Sequence, residues 1–212
     1  MDNSYRILKM KDRLNWEEVP VLDVDKVLWL EDAGIRAYGQ LCADDENLYV
    51  HMRAVESDVR AELTAPLSPV FLDSCMEFFF SVDSGKTYFN IEINPNGCIT
   101  VQFGPSPKDR IYIVRENDPE YYDIRTGRTA DGWEAFYRIP LAFIRMFHPG
   151  YRFSGSIDMN MYKCGDRTAR RHYLSWAPVH SETPNFHRPQ DFQKADFVET
   201  DTNLMGTSSD TR

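Results

Sequence analysis

The stretch CMEFFFSVDSGKTYFNIEINPNGCITVQF, Cys75–Phe103, decides the fold. It divides into three apolar-rich runs, Cys75 to Val82, Thr87 to Ile93 and Cys98 to Phe103. Asp83-Ser84-Gly85-Lys86 and Asn94-Pro95-Asn96-Gly97 lie between them. Gly, Asn, Asp and Pro at those corners supply the backbone conformations that tight turns need. Period two sorts each run into faces. Met76, Phe78, Phe80 and Val82 oppose Glu77, Phe79 and Ser81; Phe89, Ile91 and Ile93 oppose Tyr88, Asn90 and Glu92. Ile99, Val101 and Phe103 oppose Cys98, Thr100 and Gln102. The pattern predicts an antiparallel meander with one greasy and one polar face.

The same rhythm extends outward. Ile35 to Cys42 and Leu48 to Val55 flank the turn cluster Asp44-Asp45-Glu46-Asn47 and predict a hairpin. Arg110–Arg115, Tyr121–Thr126, Trp133–Ile139, Arg152–Lys163, His172–Trp176 and Ala195–Glu199 continue the strand spacing. Strands recurring at roughly 8–12 residues indicate a two-sheet antiparallel β-sandwich of jelly-roll or immunoglobulin-like type. One short helix is expected near 140–147, where Pro140 fits a first turn and Leu141, Ile144 and Phe147 share a helical face. Tyr5 to Leu30 reads as an irregular edge segment. Residues 1–199 form one domain in this reading, and 200–212 a disordered tail.

Lys and Arg total 24 and Asp and Glu 33, a net charge of −9. Such a surface repels phosphate backbones and disfavours nucleic acid as a partner. No apolar signal core and no long apolar run occurs, so neither export nor a membrane partner is expected. The four cysteines, Cys42, Cys75, Cys98 and Cys164, include no CxxC pair. That disfavours a zinc ribbon, and a cytoplasmic protein with reduced, core-filling thiols is the expectation.

Several blocks resemble the family 9 carbohydrate-binding modules. Asp73-Ser74-Cys75-Met76-Glu77-Phe78-Phe79-Phe80 is similar to that family's Asp-x-x-Val-Glu-x-Phe block. Tyr88 to Gly97, Gly132-Trp133-Glu134 with Ile139-Pro140-Leu141, Asp158 to Tyr162, Tyr173 to Trp176 and Phe186 to Phe192 follow in the family's order. The resemblance implies a β-sandwich that binds a mono- or oligosaccharide without cutting it, and serves carbohydrate catabolism. It also implies two aromatic walls, a carboxylate, amide or basic side chains around the sugar, and structural calcium. Trp176 matches one wall, Phe71 the other, Glu77 the carboxylate and Asn160 a late-strand asparagine. Asn90 falls where the family has a binding arginine, and Gln193 replaces a glycine.

Each of these residues has a plainer reading. Trp176 is equally a core ring. Glu77, mid-strand among phenylalanines, needs a partner, either Arg171 or Arg188 as an ion pair or a ligand hydroxyl. Asn90, Glu92 and Asn160 read as solvated strand residues or ligands. His187 and Arg188 either lock the long loop Ala177–Gln193 or use it for function. The basic loop Gly165–Arg171 reads as a hairpin tip before an anion site. A second class is a glycoside hydrolase using Glu77 with another carboxylate, either Glu92 or Asp158. A third is a haem-binding sandwich with Met or His ligands.

Overall fold

The computed structural model describes residues 4–11, 14–115 and 118–200. One layer contains β10 (Arg125–Thr129), β11 (Gly132–Pro140), β5 (Asn47–Val55) and β4 (Arg36–Ala43), in that order. The other contains β14 (Gln193–Glu199), β12 (Ser156–Cys164), β6 (Cys75–Ser81), β7 (Tyr88–Ile93), β8 (Ile99–Gly104) and β9 (Ile111–Ile113). β1 (Tyr5–Lys9) joins them, pairing with β4 on one side and β14 on the other. β2 (Leu22–Val24) shares β4's edge with β1. β13 (Tyr173–Ser175) lies on β12 and carries β3 (Lys26–Val27).

Both pairings of β1 are parallel and the others antiparallel, so the sheet is mixed where a purely antiparallel one was expected. The segment read as an irregular edge thus contains the strand that closes the sandwich. Ile7 is fully buried within it. The Tyr121–Thr126 strand is also corrected. Asp118–Tyr121 forms a short helix, α1, with Pro119 in its first turn, and the strand begins at Arg125. α2 spans Leu141–Arg145, with Leu141, Phe143 and Ile144 buried. Of the tail read at 200–212, only Thr200 is described. Its hydroxyl donates to the Lys9 carbonyl at 2.9 Å. Among the described residues no helix is long and apolar enough to cross a membrane.

Turn chemistry sets the meander. Ser84 and Gly85 have φ of 62° and 78° between β6 and β7. Asn94 Oδ1 accepts from the backbone N–H of Asn96 and Cys98, and Gly97 takes φ 75°. The greasy rows then face inward: Met76, Phe78 and Phe80 pair with Ile93, Ile91 and Phe89. They meet Met52, Val50, Trp133 and Ala135 of the other layer in one core.

A charge ends one of these rows. Ile157, Met159 and Met161 face the core, and Lys163 follows them at full burial. Its ammonium lies 3.1 Å from Glu56, itself almost fully buried. Glu56 also accepts from Trp133 Nε1 at 2.7 Å and Ser74 Oγ at 3.0 Å. The cluster connects both layers. Removing one partner leaves the other charge buried and bare, which costs about 3–5 kcal/mol. Lys163→Met should therefore lower unfolding free energy by about that amount in urea denaturation. A Glu56→Gln/Lys163→Met double variant should lose less than the sum of the two single changes.

Candidate functional site

The polar face of the meander is not solvated. Glu77 is 3% exposed, Asn90 1%, Glu92 6%, Thr100 4% and Gln102 3%. A second apolar cluster covers part of this face, built from Val70, Phe79, Tyr88, Tyr162, Tyr173 and Phe186. Phe186 comes from the loop before β14 and stacks on Tyr162 at 4.1 Å between centroids. The long loop read as functional or loop-locking is therefore a cover over the sheet.

Where the cover stops, a cleft of about 500 Å³ remains. Small-molecule sites run to roughly 300–1,000 Å³. Its floor is Glu77 of β6, Glu92 of β7 and Thr100 and Gln102 of β8, a continuous row across three paired strands. Glu77 and Glu92 are directly opposed. Aromatic side chains stand around the floor: Trp29, Phe71, Tyr112, Tyr173 and Phe186. Trp29 is fixed by its indole N–H, which donates to the Ser181 carbonyl at 2.7 Å, and by edge contact with Tyr173. Arg110, Arg171 and Asp166 bring charge to the rim.

Burial governs the titration of the floor. It pushes Glu92 up to about 7, against the pull of Arg110 and the 2.8 Å hydrogen bond from Asn90. It holds Glu77 well above the carboxylate range, with Cys164 and Glu92 adding to the effect. His187 is pushed down to about 3 by burial and by Arg110. Arg110 Nη1 lies 3.0 Å from its Nε2 and 3.3 Å from its Nδ1, and the Tyr88 hydroxyl lies 3.0 Å from Nδ1. Gln102 Oε1 is buried without a partner among the described residues.

The structure brings five of the sequence-derived residues to the cleft: Phe71, Glu77, Glu92, Arg171 and His187. Asn90 is buried beside them and orients Glu92. Three are elsewhere. Trp176 packs edge-on against Tyr5 in the inter-sheet core, 6.4 Å between centroids. Asn160 is fully buried and accepts from the Ala177 N–H at 2.9 Å, holding the strand exit. Arg188 pairs with Asp191 at 2.5 Å. Neither Arg171 nor Arg188 pairs with Glu77; Arg171 bonds Tyr173 at 2.9 Å instead. The basic loop contributes Asp166 and Arg171 to the rim and so exceeds a solvated hairpin tip. Sequence reasoning passed over Trp29, Arg110 and Tyr112. Thr100 and Gln102 carried a readable signal, since they continue the polar face.

Among the described residues no cluster of carboxylates gathers for the calcium implied by the resemblance. Among the described residues the one group of three metal-type side chains contains two thiols, Cys75 and Cys164, with Glu77. Calcium takes several oxygen ligands, and thiolates suit softer ions. Asp73, fully buried, is held by the protein through Oδ2, which accepts from Glu62 N, Leu63 N and Asn94 Nδ2 at 2.9–3.0 Å; its Oδ1 has no hydrogen-bond partner among the described residues, and Arg60 Nε lies 3.2 Å from it. Of the His and Met residues considered for haem, only His187 lines the cleft among the described residues.

Comparison with solved structures agrees with this architecture. A protein from Bacteroides uniformis, described provisionally as carbohydrate-binding, superposes with a TM-score of 0.77 at 24% identity, over 92% of this chain and 98% of that one. A family 9 carbohydrate-binding module from Caldicellulosiruptor kristjanssonii in complex with cellotriose gives 0.65 at 12% identity, covering 98% and 100%. A family 9 module from the same organism in complex with glucose gives 0.61 at 15%, covering 95% and 96%. No curated protein matches the chain. The sequence model of carbohydrate-binding family 9 matches residues 8–197, nearly the whole chain. The protein, a mixed β-sandwich with a polar cleft on one outer face, belongs to carbohydrate-binding family 9.

Proposed function

We propose that the cleft binds a saccharide without cleaving it. The observation that carries this reading is the cleft's composition, a buried hydrogen-bonding floor ringed by aromatic side chains. Sugar hydroxyls both donate and accept, so they can satisfy the unpaired Gln102 Oε1 and share the Glu77–Glu92 pair. The flat C–H faces of a sugar ring pack on Phe71, Tyr112 and Trp29. The ligands of the solved neighbours, glucose and cellotriose, are the first probes to apply.

Phe71 and Tyr112 are 40% and 55% exposed, so truncating them removes contact area without opening the core. Titration of a saccharide panel by calorimetry should show saturable binding to the wild type. Phe71→Ala and Tyr112→Ala should each weaken it by about 0.5–1.5 kcal/mol, roughly twofold to tenfold, with thermal stability unchanged. Trp29 is the one tryptophan lining the cleft among the described residues, so Trp29→Phe should abolish any ligand-induced fluorescence change, while Trp176→Phe keeps it. Failure of the whole panel to bind would overturn the reading. The opposed Glu77 and Glu92 favour hydrolysis as the second reading. Release of reducing ends, lost in Glu77→Gln, would establish it.

The floor also sets a pH signature. Folded Glu92 keeps its proton up to about 7, against an ordinary value of 4.5. Between those limits the folded state binds more protons, so this group's contribution to stability is full below 4.5 and lost as pH rises through about 7. His172 and His187, pushed down to about 4 and about 3, act in the opposite sense as pH falls below 6.5. The comparison with a variant isolates Glu92. Glu92→Gln should gain Tm relative to the wild type as pH is raised from 4.5 to about 7. A constant difference across that range would refute the assignment.

A further inference from the structure

Glu77 has unusual company for a sugar acceptor. Among the described residues its carboxyl meets no cation and no N–H donor. Its hydrogen-bond partner is the thiol of Cys164, with Sγ 3.0 Å from Oε1. Cys75 stands directly opposite Cys164 in the β6–β12 ladder. The two Sγ atoms and a Glu77 oxygen lie within 4.8 Å of one another. Cys75 is fully buried, Cys164 2% exposed and Glu77 3%. Free cysteines commonly fill cores as small hydrophobes, and that accounts for Cys42 and Cys98. It does not account for a carboxyl placed against two thiols.

We propose that Cys75, Cys164 and Glu77 form a binding site for a thiophilic divalent cation, with zinc as the representative ion. Two thiolates and one carboxylate are a recognised zinc donor combination, and thiolates select such ions over calcium or magnesium. Zn–S near 2.3 Å and Zn–O near 2.1 Å at tetrahedral angles put sulfur and oxygen about 3.6 Å apart. The observed 3.0 Å has to widen by about half an ångström, within reach of side-chain rotation alone. Glu77 and Cys164 line the cleft and Cys75 lies behind them, so the ion enters from the cleft and keeps one coordination position towards it. The charges of the three ligands exceed that of the ion by one, and Arg110 and Arg171 line the same cleft.

The sequence hides this site. Cys75 and Cys164 form no CxxC spacing and meet only through strand register. The balance of binding is simple. Two metal–sulfur bonds and one metal–oxygen bond form, and the thiol protons, with that of Glu77 where present, pass to the buffer. Both thiols must lose their protons to bind the ion, so affinity rises with pH. The proposal is independent of what sugar fills the cleft, because its probes are metals alone.

The test is cobalt titration of the reduced protein followed by zinc. Saturation at one cobalt per chain should give intense thiolate-to-cobalt charge-transfer absorption that zinc displaces. Calorimetry in buffers of differing ionisation enthalpy should show proton release. Cys164→Ser should lose the absorption, Glu77→Gln should weaken binding by about tenfold or more, and Cys98→Ser should keep both. A readout that needs no variant is alkylation mapped by peptide mass. Zinc should slow labelling of Cys75 and Cys164 while leaving Cys42 and Cys98 unchanged. Absence of the charge-transfer band in reduced protein, its survival in Cys164→Ser, or a Cys75–Cys164 disulfide that persists under reductant would each overturn the proposal.

Discussion

The arrangement of the cleft depends on the buried pair of Lys163 and Glu56. Period two makes β12 an all-or-nothing element: a slip of one residue exchanges its faces. Lys163 must meet Glu56 in the interior at 3.1 Å, and no other position on the apolar row supplies a cation. That requirement fixes which side chains β12 presents outward. Tyr162 and Cys164 then fall beside Glu77 and Cys75. An ion pair inside the sandwich thereby sets the composition of a site on its outer surface. The pair is weak evidence for added stability, since well-packed apolar residues can do as well, but it specifies register strongly.

The outer face of the meander departs from the usual rule for an antiparallel sheet. Such a sheet commonly leaves one face to water. Here loops and aromatic rings cover it, and carboxyls and amides are kept within. The consequence is a set of groups pushed towards their neutral forms: Glu77 well above the carboxylate range, Glu92 up to about 7 and His187 down to about 3. Local rules tend to be broken where function is located. The unpaired carbonyl of Gln102 is one more sign that this floor is completed by something other than protein.

Much of this was legible in the chain. β6, β7 and β8 follow from alternation and turn residues, and the floor follows from reading the polar side of each. The walls were not legible to the same degree. Trp29 lies between short strands and adopts φ 57°, Arg110 immediately precedes a three-residue edge strand and Tyr112 is its middle residue, so the local pattern is too short to mark them. Their place depends on contacts across the sequence. For Trp176 the sequence left wall and core ring open, because similarity in sequence order does not record which way a ring turns; here β1 offers Tyr5, and the indole packs edge-on against it. β1 itself escaped notice since its partners, β4 and β14, lie far along the chain and pair with it in parallel.

That closing strand has a kinetic meaning. β1 is made first, β14 last, and each residue from Tyr5 to Lys9 has its partner between Ala195 and Glu199. Lys9 and Glu199 add an ion pair at 2.9 Å to the same seam. Contacts so distant in sequence carry a high loop-closure entropy and form late. During synthesis the hairpin of β4 and β5 and the meander of β6 to β8 have local partners at once. The seam between the two layers waits until β14 emerges. Until then β1 and the Ser156–Met159 stretch of β12 lack their β14 partner, and the nascent chain depends on its surroundings to keep those edges from pairing with another molecule.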